Sequence, residues 1–234
     1  MTRPGLLDGS PGQHPSLVYT KNMKILFYFD PSCPFSWITS RWLLQVSAHR
    51  DITIDWRPFS LALKNDELVA RDGESIHAQS HRDSLRILRV LLAAEQQHNV
   101  PLIDSYTASG MIRHILGDPL DDDGIRSVIV NQLELPESLT SAADDTSYDE
   151  ILKKHIDEAV AIVGNDIGVP TIVFELESGE KQGYFGPVLG GLPELSESLQ
   201  IWDGLSQLAT AKSFYELKRP RPTGNPDVAS TARC

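Results

Sequence analysis

The chain has 234 residues, 41% hydrophobic and 23% charged, which fits one soluble globular domain, or one domain carrying an insertion. Its 21 Lys and Arg stand against 32 Asp and Glu, and the net charge of −11 argues against general nucleic-acid or anionic-membrane binding. Only two cysteines occur, Cys33 and Cys234, so a disulfide framework and a cysteine-rich metal centre are excluded.

Residues 1–22 are rich in Gly, Pro and Ser, lack periodicity, and read as a flexible extension with no signal-peptide core. No apolar run approaches the ~18 residues of a membrane span, so a cytoplasmic location is expected. Lys24 to Phe29 is a short β-branched and aromatic run that stops at Asp30-Pro31, a buried strand. From Pro34 to about Ala48 the pattern is helical, with Pro34 suited to the first turn. Residues 52–59 alternate as a second strand, completing a βαβ unit. Helical patterns follow at about 75–98, 103–116, 123–132 and 147–163, separated by breakers such as Gly117 and Pro136. Two strands, 171–175 and about 181–185, flank the turn Ser178-Gly179, and a helix covers about 193–210. The order βαβ, helices, ββα predicts a thioredoxin-like α/β core, 23–63 and 164–218, interrupted by an α-helical insertion at 64–163. Residues 219–234 are Pro/Gly-rich and read as a disordered tail.

Cys33 lies between the first strand and first helix. A helix N-terminus offers unpaired N–H groups and partial positive charge, so a depressed thiol pKa and a nucleophilic role are expected. In Cys33-Pro34-Phe35-Ser36 the place of the second thiol of a redox dithiol is taken by Ser36. Ser36 can hydrogen-bond the sulfur but cannot close an internal disulfide, so a redox cycle needs an outside thiol. Cys234 ends the tail and is expected to be dispensable. Pro170, in Gly168-Val169-Pro170-Thr171, is a candidate cis peptide beside the thiol. His77 and His81 have a chelating i, i+4 spacing, but position 78 is Ala rather than the zincin Glu, and no metal site is expected.

These motifs resemble the DsbA-like branch of the thioredoxin superfamily, closest to the mycothiol-dependent nitroreductases. The resemblance is carried by Phe29 through Trp42, Ser60 to Asn65, Ala93 to Gln96, Tyr106 to Gly110 with His114, Val163 to Thr171, Phe185 to Val188, and Phe214 to Arg219. Members of that family carry Cys-Pro-Trp-Cys and use mycothiol as reductant; this chain has Phe35 and Ser36 at the last two places. The same segment is similar to kappa-class glutathione transferases and 2-hydroxychromene-2-carboxylate isomerases, which have Ser-Pro-Tyr/Phe-Ser there. The resemblance implies catalysis by Cys33 with Ser36. It implies a small-molecule pocket formed by Pro34, Phe35, Asn65, His114, Val169 and Pro170, and a mycothiol-like low-molecular-weight thiol as co-substrate with no bound cofactor. The leading expectation is a thiol-dependent oxidoreductase of small electrophilic or nitroaromatic substrates. The alternatives are an E/Z isomerase or transferase in which Cys33 adds to a conjugated enone or polyene, and a peptide-binding module using the Val169 backbone edge. A homodimer is compatible with the sequence.

Overall fold

The computed structural model describes residues 22–65, 78–221 and 223–232. The expectations for residues 1–21, for His77 and for Cys234 fall outside the described residues. The first strand, β1 (Met23–Phe29), leads into helix α1 (Pro34–Ser47) and strand β2 (Ile52–Pro58). β2 pairs parallel with β1, from Met23 opposite Ile52 to Phe29 opposite Pro58. Strand β3 (Thr171–Glu175) joins the other side of β1 antiparallel, and β4 (Lys181–Phe185) pairs antiparallel with β3. The resulting sheet has the order β2-β1-β3-β4.

β1 is central and buried on both faces, which is why it reads as a continuous apolar run rather than an alternating one. Ile25, Phe27 and Phe29 enter a large core with Trp37, Trp42 and Leu43 of α1. Leu26 and Tyr28 point the other way, toward Val169 and toward Ile156 and Ala159 of the helix Asp149–Val163 that closes the insertion.

The insertion is built around α2 (Ala78–His98), whose Leu88, Leu91 and Leu92 join the larger core. Helix α3 (Leu102–Gly110) runs into a π-helical turn at Met111–Leu116, closed by Gly117 in the left-handed conformation at φ 81°. Helix α4 (Asp122–Arg126) likewise continues as a π turn, Ser127–Gln132. Residues 137–148, mostly unassigned by the sequence pattern, form 3₁₀ turns at Glu137–Asp144 and Thr146–Tyr148. Their buried Leu139 and Ala142 are three apart, the 3₁₀ repeat, so a search for 3.6-residue periodicity passes over them. Helix α5 (Asp149–Val163) then returns the chain to the sheet.

Helix α6 (Leu195–Leu208) completes the core, and the indole N–H of Trp42 donates to the Ser198 carbonyl at 3.2 Å. The tail departs from expectation: residues 223–232 are folded onto the body rather than disordered. Asp227 caps a 3₁₀ turn at Val228–Thr231, accepting from the Ser230 amide at 3.1 Å. The Asp227 amide donates to the Gly190 carbonyl at 2.7 Å, and the Ser230 hydroxyl accepts from the Leu192 amide at 2.8 Å. Thr231 is fully buried and accepts the Trp37 indole N–H at 2.8 Å.

Candidate active site

Cys33 is the N-cap of α1, with Pro34 in the first turn. Pro at that place costs no hydrogen bond, because the first-turn amides have no helical partner. The sulfur accepts from the Ser36 amide at 3.5 Å and donates its own proton to the Val169 carbonyl at 3.3 Å. One contact favours the thiolate and the other the thiol. Burial decides between them: desolvation raises the Cys33 pKa above its ordinary value. The Ser36 amide and hydroxyl oppose it, the Asp30 charge reinforces it, and the Phe35 amide adds a small lowering. The expectation of a depressed pKa from the helix N-terminus is therefore corrected. The Ser36 hydroxyl is fully buried and lies near enough to lower the thiol pKa, yet it has no partner with hydrogen-bond geometry.

Asp30 organises the loop that carries Cys33. It is fully buried and accepts from the Ser32 amide at 2.8 Å, the Ser32 hydroxyl at 2.7 Å, the Leu61 amide at 2.8 Å and the Ser84 hydroxyl. The Asp30 carbonyl also accepts from the Cys33 amide at 3.0 Å. One carboxylate thus ties the thiol loop to the turn after β2, through Leu61, and to the insertion, through Ser84 of α2. In the sequence, Asp30-Pro31 reads only as a strand stop. Leu61 and Ser84, remote in sequence, give no local signal.

His114 belongs to the π turn of the insertion and reaches the same loop. Its Nε2 lies 2.9 Å from the Pro31 carbonyl, an acceptor, so Nε2 carries the proton. Its ring stacks on Trp37 at 5.8 Å between centroids, and burial lowers its pKa to about 4. It is neutral at pH 7 and touches the thiol loop rather than the sulfur. Trp37, also packed edge-on against Tyr106, is a fully buried core residue.

Val169 supplies the carbonyl that meets Cys33, and the Val169–Pro170 bond is cis, as is Gly186–Pro187. The Pro170 carbonyl accepts from the Gly186 amide at 2.8 Å. Cys33, Ser36 and Val169 are thus brought together, with Pro34, Phe35 and Pro170 as their chain neighbours. Asn65 ends the described helical turn 61–65, and no hydrogen bond among the described residues joins it to Cys33, Ser36 or His114. Phe35 carries a contact that the sequence does not announce: the Arg221 guanidinium lies 5.0 Å from its ring centre. An apolar flank completes the surroundings, with Leu61, Leu63, Val160, Val163 and Ile167 packed with Cys33 on the smaller core. Among the described residues no three His, Cys, Asp or Glu side chains gather as a metal site, and no helix is long and apolar enough to cross a membrane.

Comparison with known proteins bears on the family and the fold. Residues 32–219 match the model of the Rv2466c-like family, described as mycothiol-dependent nitroreductase Rv2466c. The uncharacterised protein Rv2286c of Mycobacterium tuberculosis is 33% identical over 199 residues, 83% of this chain and 81% of that protein. Among solved structures, DsbA of Chlamydia trachomatis superposes with a TM-score of 0.53 at 13% identity, over 90% of this chain and all of that one. The cytosolic disulfide reductase DsbM of Pseudomonas aeruginosa gives 0.51 at 14% identity, over 79% and 99%. At those identities the two structures speak for the fold, a DsbA-type thioredoxin-like core with a helical insertion.

Proposed function

The chain belongs to the Rv2466c-like family, whose model is described by the mycothiol-dependent nitroreductase Rv2466c, and on that premise we propose that it is a cytoplasmic, monothiol oxidoreductase of small electrophilic substrates, nitroaromatics among them. Cys33 is its reactive group and a mycothiol-like thiol its reductant. The observation that carries this reading is the arrangement at the start of α1. Cys33 is held between the Ser36 amide and the Val169 carbonyl, with a hydroxyl where a resolving thiol would stand. Without a second thiol at position 36, each turnover needs two external thiols. Cys33 bonds to the electrophile. One thiol displaces the reduced product and leaves Cys33 in a mixed disulfide. A second attacks the outer sulfur, freeing Cys33 and releasing the symmetrical disulfide. The net change is substrate plus two thiols to reduced substrate plus one disulfide.

The Ser at position 36 also supports a second reading, reversible addition of Cys33 to a conjugated enone or polyene with elimination to the other E/Z isomer. That route consumes no thiol. Turnover of a nitroaromatic, followed against mycothiol and glutathione, tests the first reading. A rate that depends on mycothiol, yields its disulfide in step with product and vanishes in Cys33→Ser supports it. Isomerisation of an enone with no thiol present, and no nitro reduction with it, would replace it with the second.

A further inference from the structure

We infer that Arg221 is a specificity-determining residue at the Cys33 site, selecting, among the small reactants that reach the thiol, those that carry a negative charge. The inference rests on reading Cys33 as the reactive thiol. Arg221 stands over the Phe35 ring at 5.0 Å, and Phe35 is two residues from Cys33 in the first turn of α1. The contact adjoins a folded segment. Downstream of it, Asp227 is bonded to Gly190, Ser230 to Leu192, and Thr231 to the Trp37 indole. Positions 35 and 37 lie about 200° apart around a helix. A chain that touches both therefore embraces the first turn of α1, the end where Cys33 sits.

Two hydrogen-bond donors lie at that end. The Ser36 amide points at the sulfur, and the buried Ser36 hydroxyl beside it has no hydrogen-bond partner. The one acid built into the loop, Asp30, is buried and engaged by Ser32, Leu61 and Ser84. Arg221 is exposed and forms no ion pair with a carboxylate of the described residues. On a chain of net charge −11, it is an exposed cation over the ring of the residue two places after the nucleophile.

Iodoacetate and iodoacetamide test this, because they share a reacting carbon and a similar size and differ in charge. With either, the Cys33 thiolate displaces iodide and forms a thioether, and the thiol proton passes to solvent. Rates are read at the Cys33 peptide by mass spectrometry, so modification of Cys234 does not count. In water, a unit charge held about 6 Å from an anionic reagent is worth about threefold in rate. The iodoacetate-to-iodoacetamide ratio should fall by about that factor in Arg221→Gln and persist in Arg221→Lys. In wild type, salt of about 0.5 M, which screens exposed charges, should reduce the ratio toward the Gln variant's value. A purely structural role for Arg221 would change both rates together and leave the ratio unmoved, and that result overturns the inference while leaving the thiol reading intact. If neither reagent modifies Cys33 in wild type, the thiol reading fails and the inference with it.

Discussion

At Cys33 the helix N-terminus and burial pull the thiol in opposite directions. The sulfur is already a donor to Val169 and sits near the Asp30 carboxylate, so burial prevails and the resting group is a thiol. The pH midpoint for Cys33 alkylation is expected above the ordinary thiol value; a midpoint below it would show that the helix terminus dominates. Asp30→Asn removes the nearby charge and should lower that midpoint. At Ser36, the thiol-dependent reading predicts that Ser36→Cys speeds turnover, because the introduced sulfur releases the reduced product by closing an internal disulfide with Cys33, which two external thiols then reduce. The addition reading predicts that oxidation inactivates the same variant until reductant is added. His114 has the opposite dependence to the thiol. Its folded pKa is about 4 against an ordinary 6.5, so the stability it confers is complete above 6.5 and is lost as pH falls toward 4. The loss is at most about 3 kcal/mol, and smaller because the ring is not fully buried. Denaturant titrations at pH 7 and pH 4 should show a smaller acid loss in His114→Phe, which keeps a ring and cannot titrate. An equal loss in both proteins would deny the shift.

At the scale of elements, the residues most visible in the sequence are those whose signal is local. The apolar run of β1, the Cys-Pro start of α1 and the regularly spaced leucines of α2 appear where periodicity places them. The less visible parts are set by distant partners. Gly110 is an ordinary helix residue in the sequence, but a Cβ there would lie 2.2 Å from the Trp37 ring. Gly110→Ala should therefore displace Trp37 and cost about 1–3 kcal/mol in denaturant unfolding, whereas an unchanged midpoint would mean the ring has room to move. The tail misleads for a related reason. Its Pro and Gly suggest disorder, and only the spacing of Asp227 and Ser230 marks the cap that folds it. Thr231→Ala leaves the buried Trp37 indole N–H without its partner, an expected loss of about 1–3 kcal/mol. Deletion of residues 223–234 should destabilise the protein at least as much, contrary to the dispensability that tail composition suggests.

Over the whole molecule, the site is a junction of three parts of the chain. The core supplies Cys33 and Val169, the insertion supplies Ser84 and His114, and the C-terminal segment supplies Arg221 and Thr231. Order of elements is legible from hydrophobic pattern, so the split thioredoxin-like core could be read from the sequence. Convergence of the three parts could not, because the bonds joining them span 52 or more residues. The central claim is that Cys33 works as one thiol resolved from outside. Intact-mass analysis of the protein treated with the symmetrical disulfide of mycothiol tests it most directly. With peptides mapped after the intact mass, so that Cys234 does not count, the account predicts one mycothiol on Cys33, stable after the disulfide is removed and cleared by added mycothiol. An unmodified Cys33, or a loss of two hydrogens with Cys33 joined to Cys234, would contradict it.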